Sequence, residues 1–127
     1  MAVLFVDDES TILTLFKEVC RVQKIPHFLA SSASEAMAVC SREEIRLVVT
    51  DYSMPEMNGD DLAKRIKQEY PDMPVFCFSG SNPRDMARAL GNPFDKVFEK
   101  PTSFSRLLAE VVQALTMEEK PSPKRPG

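Results

Sequence analysis

Five short, largely apolar stretches alternate along the chain with longer segments in which apolar residues recur every three or four positions. Three of these stretches have the pattern typical of parallel strands buried on both faces: Ala2–Val6, Arg46–Thr50 and Pro74–Phe78. His27–Ala30 is a weaker strand candidate. Lys96–Glu99 alternates polar and apolar side chains, which predicts a strand at the edge of the sheet.

Helical spacing of apolar residues fills the segments between these strands. The first helix is indicated by the repeat from Ile12 to Val22, and the others are predicted at Glu35–Cys40 with Ser34 as N-cap, Asp60–Tyr70, Arg84–Leu90 after Pro83 and before Gly91, and Ser105–Met117. The order βαβαβαβαβα predicts a doubly wound α/β fold, with a five-stranded parallel sheet and helices on both faces.

Length and composition restrict this interpretation to one globular domain. The chain has 127 residues, enough for a single domain with its own core. We expect this domain to cover residues 1–117, because residues 118–127 contain three prolines, lysines and no apolar side chain to bury. The end of the chain is therefore predicted to be a flexible tail or the stub of a linker.

Charge and cysteine content exclude several classes of protein. The net charge of −3 does not favour a general nucleic-acid surface. Cys20, Cys40 and Cys77 are far apart in apolar stretches, which favours buried, reduced thiols in a cytoplasmic protein over a disulfide or metal role. The apolar start, Met1–Val6, lacks a basic flank and is too short for a signal peptide or a membrane span.

Chemically active side chains follow four of the predicted strands. In chain order these residues are Asp7, Asp8, Glu9, Asp51, Ser79 and Lys100. Because ligands of open α/β sheets gather at the carboxyl ends of the strands, we expect these side chains to share one edge of the sheet. Clustered carboxylates repel each other, and their oxygens suit a hard cation such as Mg²⁺. With a lysine and a hydroxyl nearby, the set meets the requirements of phosphoryl transfer.

Two segments and two dipeptides resemble the receiver family of two-component response regulators. They are Val3–Glu9 with its acidic pair, Asp51–Gly59 (DYSMPEMNG), Ser79-Gly80 and Lys100-Pro101. The similarity covers about residues 2–117, and the Asp51–Gly59 loop is its most specific part. It implies the flavodoxin-like (βα)5 fold with strand order 2-1-3-4-5, and a cis proline at Pro101.

The resemblance also implies a role for each site residue. Asp51 would accept a phosphoryl group from a phosphohistidine, with Asp7, Asp8, Asp51 and the backbone carbonyl of Ser53 binding Mg²⁺. Lys100 and Ser79 would bind the phosphoryl oxygens. Movement of Ser79 would then shift the surface formed by the fourth predicted helix, the fifth strand and the last helix. Pro55 and Gly59 would shape the loop, glycine by permitting a backbone turn that other residues resist.

One position departs from the family pattern. The family usually has an aromatic residue three positions before the lysine, whose rotation reports phosphorylation, and this chain has Val97 there. A valine side chain is small and stiff about χ1, so this switch cannot operate. We expect signalling to run through the Ser79 loop and the fourth predicted helix instead.

Three alternatives compete with a working receiver. A phosphohydrolase of the haloacid-dehalogenase type needs a second aspartate two positions after the first, where this chain has Ser53. A flavodoxin-like cofactor binder needs a phosphate loop after the first strand, where Asp7 and Asp8 would repel phosphate. A degenerate receiver that serves only as an interaction module stays open because of Val97.

The resemblance implies partners rather than substrates. A sensor histidine kinase or a histidine phosphotransfer protein would supply the phosphoryl group, and a downstream protein that the sequence does not identify would receive the signal. Phosphorylation could lead to a dimer. The domain would act as a signalling module rather than an enzyme, and we expect it to bind neither nucleic acid nor a membrane.

Overall fold

The computed structural model describes residues 1–80 and 93–116. Five strands and four helices lie in these ranges: β1 (Ala2–Val6), α1 (Ser10–Gln23), β2 (His27–Ala30), α2 (Ala33–Arg42), β3 (Ile45–Thr50), α3 (Gly59–Glu69), β4 (Val75–Ser79), β5 (Lys96–Glu99) and α4 (Phe104–Thr116). The helix predicted at Arg84–Leu90, with Pro83 and Gly91, lies outside the described residues, as does the predicted tail at 118–127.

The strands form one parallel sheet in the order β2-β1-β3-β4-β5. This confirms the predicted fold class and strand order. β2 and β5 are the two edges, so the alternating pattern of Lys96–Glu99 was correctly interpreted as an edge strand. β1 and β3 lie side by side at the centre, which brings the ends of these two strands, and the acidic residues that follow them, next to each other.

Helices cover both faces of the sheet because successive strand side chains point to opposite sides. Val3 and Phe5 of β1 pack with Phe16 of α1 and Leu107 of α4. The intervening Leu4 and Val6 pack in a second cluster with residues of α2 and α3, among them Ala36 and Leu62. Each face therefore has its own hydrophobic core, and β1 and β4 are buried throughout.

The start of α2 differs from the prediction. The N-cap is Ser32 rather than Ser34, and the helix begins at Ala33. Ser32 has extended backbone angles, and its hydroxyl accepts a hydrogen bond from the Glu35 amide at 3.1 Å. Glu35 reaches back to accept from the Ser31 amide at 2.8 Å. A serine followed three residues later by a glutamate is the capping-box spacing, and it favoured Ser32 in the sequence itself.

All three cysteines fall in the described ranges, where they are buried and free, as predicted. Within residues 1–80 and 93–116, no helix has the length and apolar character that crossing a membrane requires.

Candidate functional site

The carboxyl ends of β1 and β3 hold the first part of the site. Asp7 follows β1 directly and is only 2% exposed, and Asp51 follows β3 and is 7% exposed. The two turns are fixed by backbone hydrogen bonds, since the Asp7 amide donates to Ala30 O at 3.1 Å and the Asp51 amide donates to Val6 O at 3.0 Å. The parallel sheet thus continues for one more residue on each strand, which places both carboxylates at the same edge.

Three aspartates form an acidic cluster at this edge. One carboxylate oxygen each from Asp7, Asp8 and Asp51 lies within 4.8 Å of the others, and Asp8 is exposed while the other two are buried. The sequence predicted that these three residues would meet. This donor set fits a divalent cation, because it combines three hard oxygen ligands with one side open to solvent.

Lys100 provides the positive charge beside these carboxylates. Its ammonium group lies 2.9 Å from Asp7 Oδ2 and 3.4 Å from Asp51 Oδ2. The Lys100 amide donates to Ser79 O at 2.9 Å, so β4 and β5 stay paired up to the lysine. The Lys100–Pro101 peptide bond is cis, as the resemblance implied. The Phe78 ring centroid, 5.9 Å from Nζ, flanks the ammonium on the side of the α1–α4 core.

Burial and neighbouring charges shift the pKa values of Asp7 and Lys100. Burial raises the pKa of Asp7 above its usual range, and the Asp51 charge adds to this, although hydrogen bonds from the Glu9 amide and from Lys100 oppose it. Burial alone would lower the pKa of Lys100, but the hydrogen bond to Asp7 and the charges of Asp51 and Asp7 outweigh it, and the pKa is raised. The ammonium form is therefore favoured at this position, and the cluster has more negative charge than one lysine offsets.

Ser79 and Ser53 occupy different positions relative to the cluster. Ser79 is the last residue of β4, is 1% exposed, and pairs in register with Glu99 on β5. Its place at a strand end next to Lys100 agrees with the sequence prediction. Ser53 is exposed in the loop after Asp51. The roles of both residues stay predictions.

The loop between β3 and α3 is closed by Gly59. Its amide donates to Tyr52 O at 2.6 Å, and an added Cβ would collide with the carbonyl oxygen of Asp51. Gly59 is the first residue of α3 and does not have a left-handed φ. The sequence interpretation, which invoked backbone freedom, was therefore wrong in its reason, because this glycine is needed for a close approach to the chain at Asp51.

Sequence reasoning gave no role to Glu9, although it noted the residue. In the structure Glu9 Oε1 lies 3.3 Å from Lys100 Nζ, which makes Glu9 a third carboxylate partner of the lysine. Its backbone amide donates to Asp7 Oδ1 at 2.9 Å. The run Asp7-Asp8-Glu9 was the available signal, but the direction of a long side chain is not encoded in such a run.

Similarity to known proteins defines the family. The model of the response regulator receiver domain matches residues 3–112. The two-component response regulator ORR3 of Oryza sativa subsp. indica is 33% identical over 117 residues, which covers 87% of this chain and 89% of ORR3. The chain therefore belongs to the response regulator receiver domain family, whose members are signalling domains of two-component systems rather than classical enzymes.

Two further matches extend this comparison. The autoinducer 1 sensor kinase/phosphatase LuxN of Vibrio harveyi is 29% identical over 105 residues, which covers 83% of this chain and 12% of LuxN. The crystal structure of a response regulator receiver domain protein from Clostridium thermocellum has a TM-score of 0.81 and 28% identity, covering 94% of this chain and 98% of that chain.

Proposed function

We propose that the chain is a working phosphoacceptor: Asp51 takes a phosphoryl group from a phosphohistidine of a partner protein, in a reaction that needs Mg²⁺. The observation that carries this proposal is the contact of the Lys100 ammonium with Asp7 and Asp51, inside a cluster of three aspartates whose oxygens lie within 4.8 Å. Phosphoryl transfer requires this combination of a carboxylate nucleophile, a metal site and a fixed cation.

Each residue of the site has its own proposed role in phosphoryl transfer. An Asp51 oxygen attacks the phosphorus, and the bond from phosphorus to the donor histidine breaks, so that its electron pair stays on the imidazole nitrogen. Lys100 neutralises one phosphoryl oxygen, and Ser79 donates a hydrogen bond to another. Asp7, Asp8, Asp51 and the carbonyl of Ser53 would hold the metal, which supplies charge neutralisation for the transferring group.

The signal would then leave the site through the Ser79 loop. We propose that engagement of Ser79 by the phosphoryl group shifts the surface that includes β5 and α4. A histidine kinase or a histidine phosphotransfer protein is the proposed donor, and the resemblance to part of a sensor kinase/phosphatase supports this. The proposed domain covers residues 1–117, with a flexible tail at 118–127, and the free buried thiols support a cytoplasmic location.

Intact-mass spectrometry after incubation with acetyl phosphate tests this function. We expect a single adduct of about 80 Da, one phosphoryl group, that requires both Mg²⁺ and Asp51. Asp51→Asn should give no adduct, and Lys100→Met should slow its formation at least about tenfold. Asp61→Asn is the matched control, because Asp61 is an exposed acid of α3 outside the cluster and its loss should leave the adduct unchanged.

Metal binding is measured separately by isothermal titration calorimetry with Mg²⁺. Asp8→Asn should weaken binding, whereas Asp61→Asn should not. If wild type binds Mg²⁺ but forms no adduct, a receiver that serves only as an interaction module becomes the better description.

A further inference from the structure

Glu9 contacts the site without belonging to its metal-binding cluster. Lys100 Nζ lies 3.3 Å from Glu9 Oε1, in addition to its contacts with Asp7 and Asp51. Among the described residues, the carboxylates that converge closely enough to share a cation are Asp7, Asp8 and Asp51. Of the three carboxylates around the lysine, Glu9 is thus the one that stands outside the cluster.

The position of Glu9 at the start of a helix does not explain its side chain. Glu9 is the N-cap of α1, yet its carboxylate makes no capping hydrogen bond. Good capping residues are Ser, Thr, Asp and Asn, whose short side chains reach the first free amides of the helix. The hydrogen bond from the Glu9 amide to Asp7 Oδ1 fixes the backbone here, and the carboxylate extends toward Lys100 instead.

We propose that Glu9 is a positioning residue that holds the Lys100 ammonium at the mouth of the site, an inference that rests on the proposed function. A lysine side chain loses considerable rotamer freedom when it is fixed in one place, so its location depends on its partners. With a cation at the cluster, Asp7 and Asp51 have less charge to share with the ammonium. Glu9 keeps its full charge and retains the lysine where a phosphoryl oxygen will arrive.

The expected effect is modest, because the Glu9 side chain is 58% exposed and ion pairs of this kind are weak. At saturating Mg²⁺, Glu9→Gln should lower the rate constant for phosphorylation by acetyl phosphate about two- to fivefold. If Glu9 merely repels the anionic donor, Glu9→Gln should instead raise this rate constant. An unchanged or faster reaction in Glu9→Gln overturns the proposal.

Glu99→Gln is the matched control for charge. Glu99 is exposed and adjoins Lys100 in the chain, but it forms no ion pair with Lys100 among the residues that the structure describes. Its removal changes the local charge equally and should not slow phosphorylation. If both variants slow it equally, the effect is not specific to the contact between Glu9 and Lys100, and the positioning role is wrong.

A double-mutant cycle shows whether Glu9 acts through the lysine. In a Lys100→Met background, the additional change Glu9→Gln should leave the residual rate constant unaltered. A further loss of similar size in that background means that Glu9 acts on something other than Lys100, which overturns the proposal.

Side-chain relaxation provides a readout that does not depend on phosphorylation. The ¹³C order parameter of Lys100 Cε, measured by NMR with saturating Mg²⁺, should fall in Glu9→Gln and stay unchanged in Glu99→Gln. If wild type accepts no phosphoryl group, the proposed function fails, and this measurement still decides whether Glu9 fixes the lysine. An unaltered order parameter in Glu9→Gln rejects that role.

Discussion

The two faces of the central sheet are packed with different kinds of side chain. On the face covered by α1 and α4, the core contains five buried phenylalanine rings, with Phe104 packed against them: Phe5, Phe16, Phe76, Phe78 and Phe98. Phe5 and Phe16 stack with their centroids 3.8 Å apart, and Phe16 also contacts Phe78 and Phe104 at 5.8 and 5.6 Å. Rings that interlock in this way depend on one another's shape.

The face covered by α2 and α3 is built mainly from small and aliphatic residues. It includes four alanines and two cysteines, namely Ala30, Ala33, Ala36, Ala63, Cys40 and Cys77. Small side chains let the helix backbones lie close to the sheet, so added volume at these small residues is expected to destabilise this face. Both faces adjoin the site through consecutive residues of β4, since Phe78 flanks Lys100 and Cys77 points to the other side.

The aromatic face should show the largest loss of stability. Phe16→Ala removes a ring that is 2% exposed and contacts three others, and we expect the free energy of unfolding to fall by about 3–5 kcal/mol. Urea denaturation followed by circular dichroism measures this change. Phe16→Leu, which keeps most of the apolar volume, should lose less than half as much; equal losses would show that ring shape, rather than apolar volume, determines the stability of this face.

The arrangement of strands was predictable because each has a short apolar signature. The bounds of Ala2–Val6, His27–Ala30 and Lys96–Glu99 were predicted to the residue, and strand order came from the resemblance. The meeting of Asp7 with Asp51 was predictable too, because parallel strands end at one edge. The contact of Glu9 with Lys100 was not, since periodicity determines the face of a residue but not the rotamer of a long side chain.

The different side-chain composition of the two hydrophobic cores could not be predicted from the sequence either. Strand alternation shows that Phe76 and Phe78 share a face opposite Cys77. It does not show which helices cover that face, because this depends on the path of each crossover connection. The clustering of rings around Phe16 therefore became visible only when α1 was placed against β1 and β4.

The small-residue face should respond to an enlarged side chain. Ala36 on α2 is fully buried, so Ala36→Leu forces extra volume between helix and sheet, and we expect a loss of about 1–3 kcal/mol. Ala38→Leu is the control, because Ala38 is exposed on the same helix and the two residue types have similar helix propensity. Equal stability of the two variants in urea denaturation would mean that α2 can move outward freely, contrary to the close packing of this face.

Cysteines on the two faces of the sheet should make different contributions to stability at high pH. Burial raises the pKa of the Cys77 thiol to about 12, with the Asp51 charge adding to it, and burial raises the pKa of Cys20 on the aromatic face to about 11. Above the ordinary thiol pKa of 9.0, the unfolded chain binds fewer protons than the folded one. The stability that each neutral thiol provides is thus present below that pH and falls by about 1.4 kcal/mol per pH unit above it.

Urea denaturation at a series of pH values between about 8 and 11.5 checks this sign. In wild type, the free energy of unfolding should decrease as the pH rises above about 9. Without the Cys77 thiol, in Cys77→Ala, this decrease should be smaller up to the highest pH measured. In Cys20→Ala it should be smaller only up to a pH about one unit lower. If neither variant changes the slope, the thiols do not titrate differently on folding.

The smallest effect is expected at Val97, which lies partly buried against the small-residue face. Val97→Ala removes two methyl groups from a half-covered position, and we expect a loss of about 1 kcal/mol in the free energy of unfolding.

Val97 is also expected to play no part in partner binding. Because a side chain this small and stiff cannot act as a rotating reporter, phosphorylated Val97→Ala should bind its downstream partner with the same affinity as phosphorylated wild type. Calorimetric titration with the partner, once identified, measures this affinity, and Phe98→Leu on the aromatic face is the comparison variant. A large loss of affinity in Val97→Ala alone would locate the signalling route on the α2–α3 side of β5, and would contradict a route through the Ser79 loop.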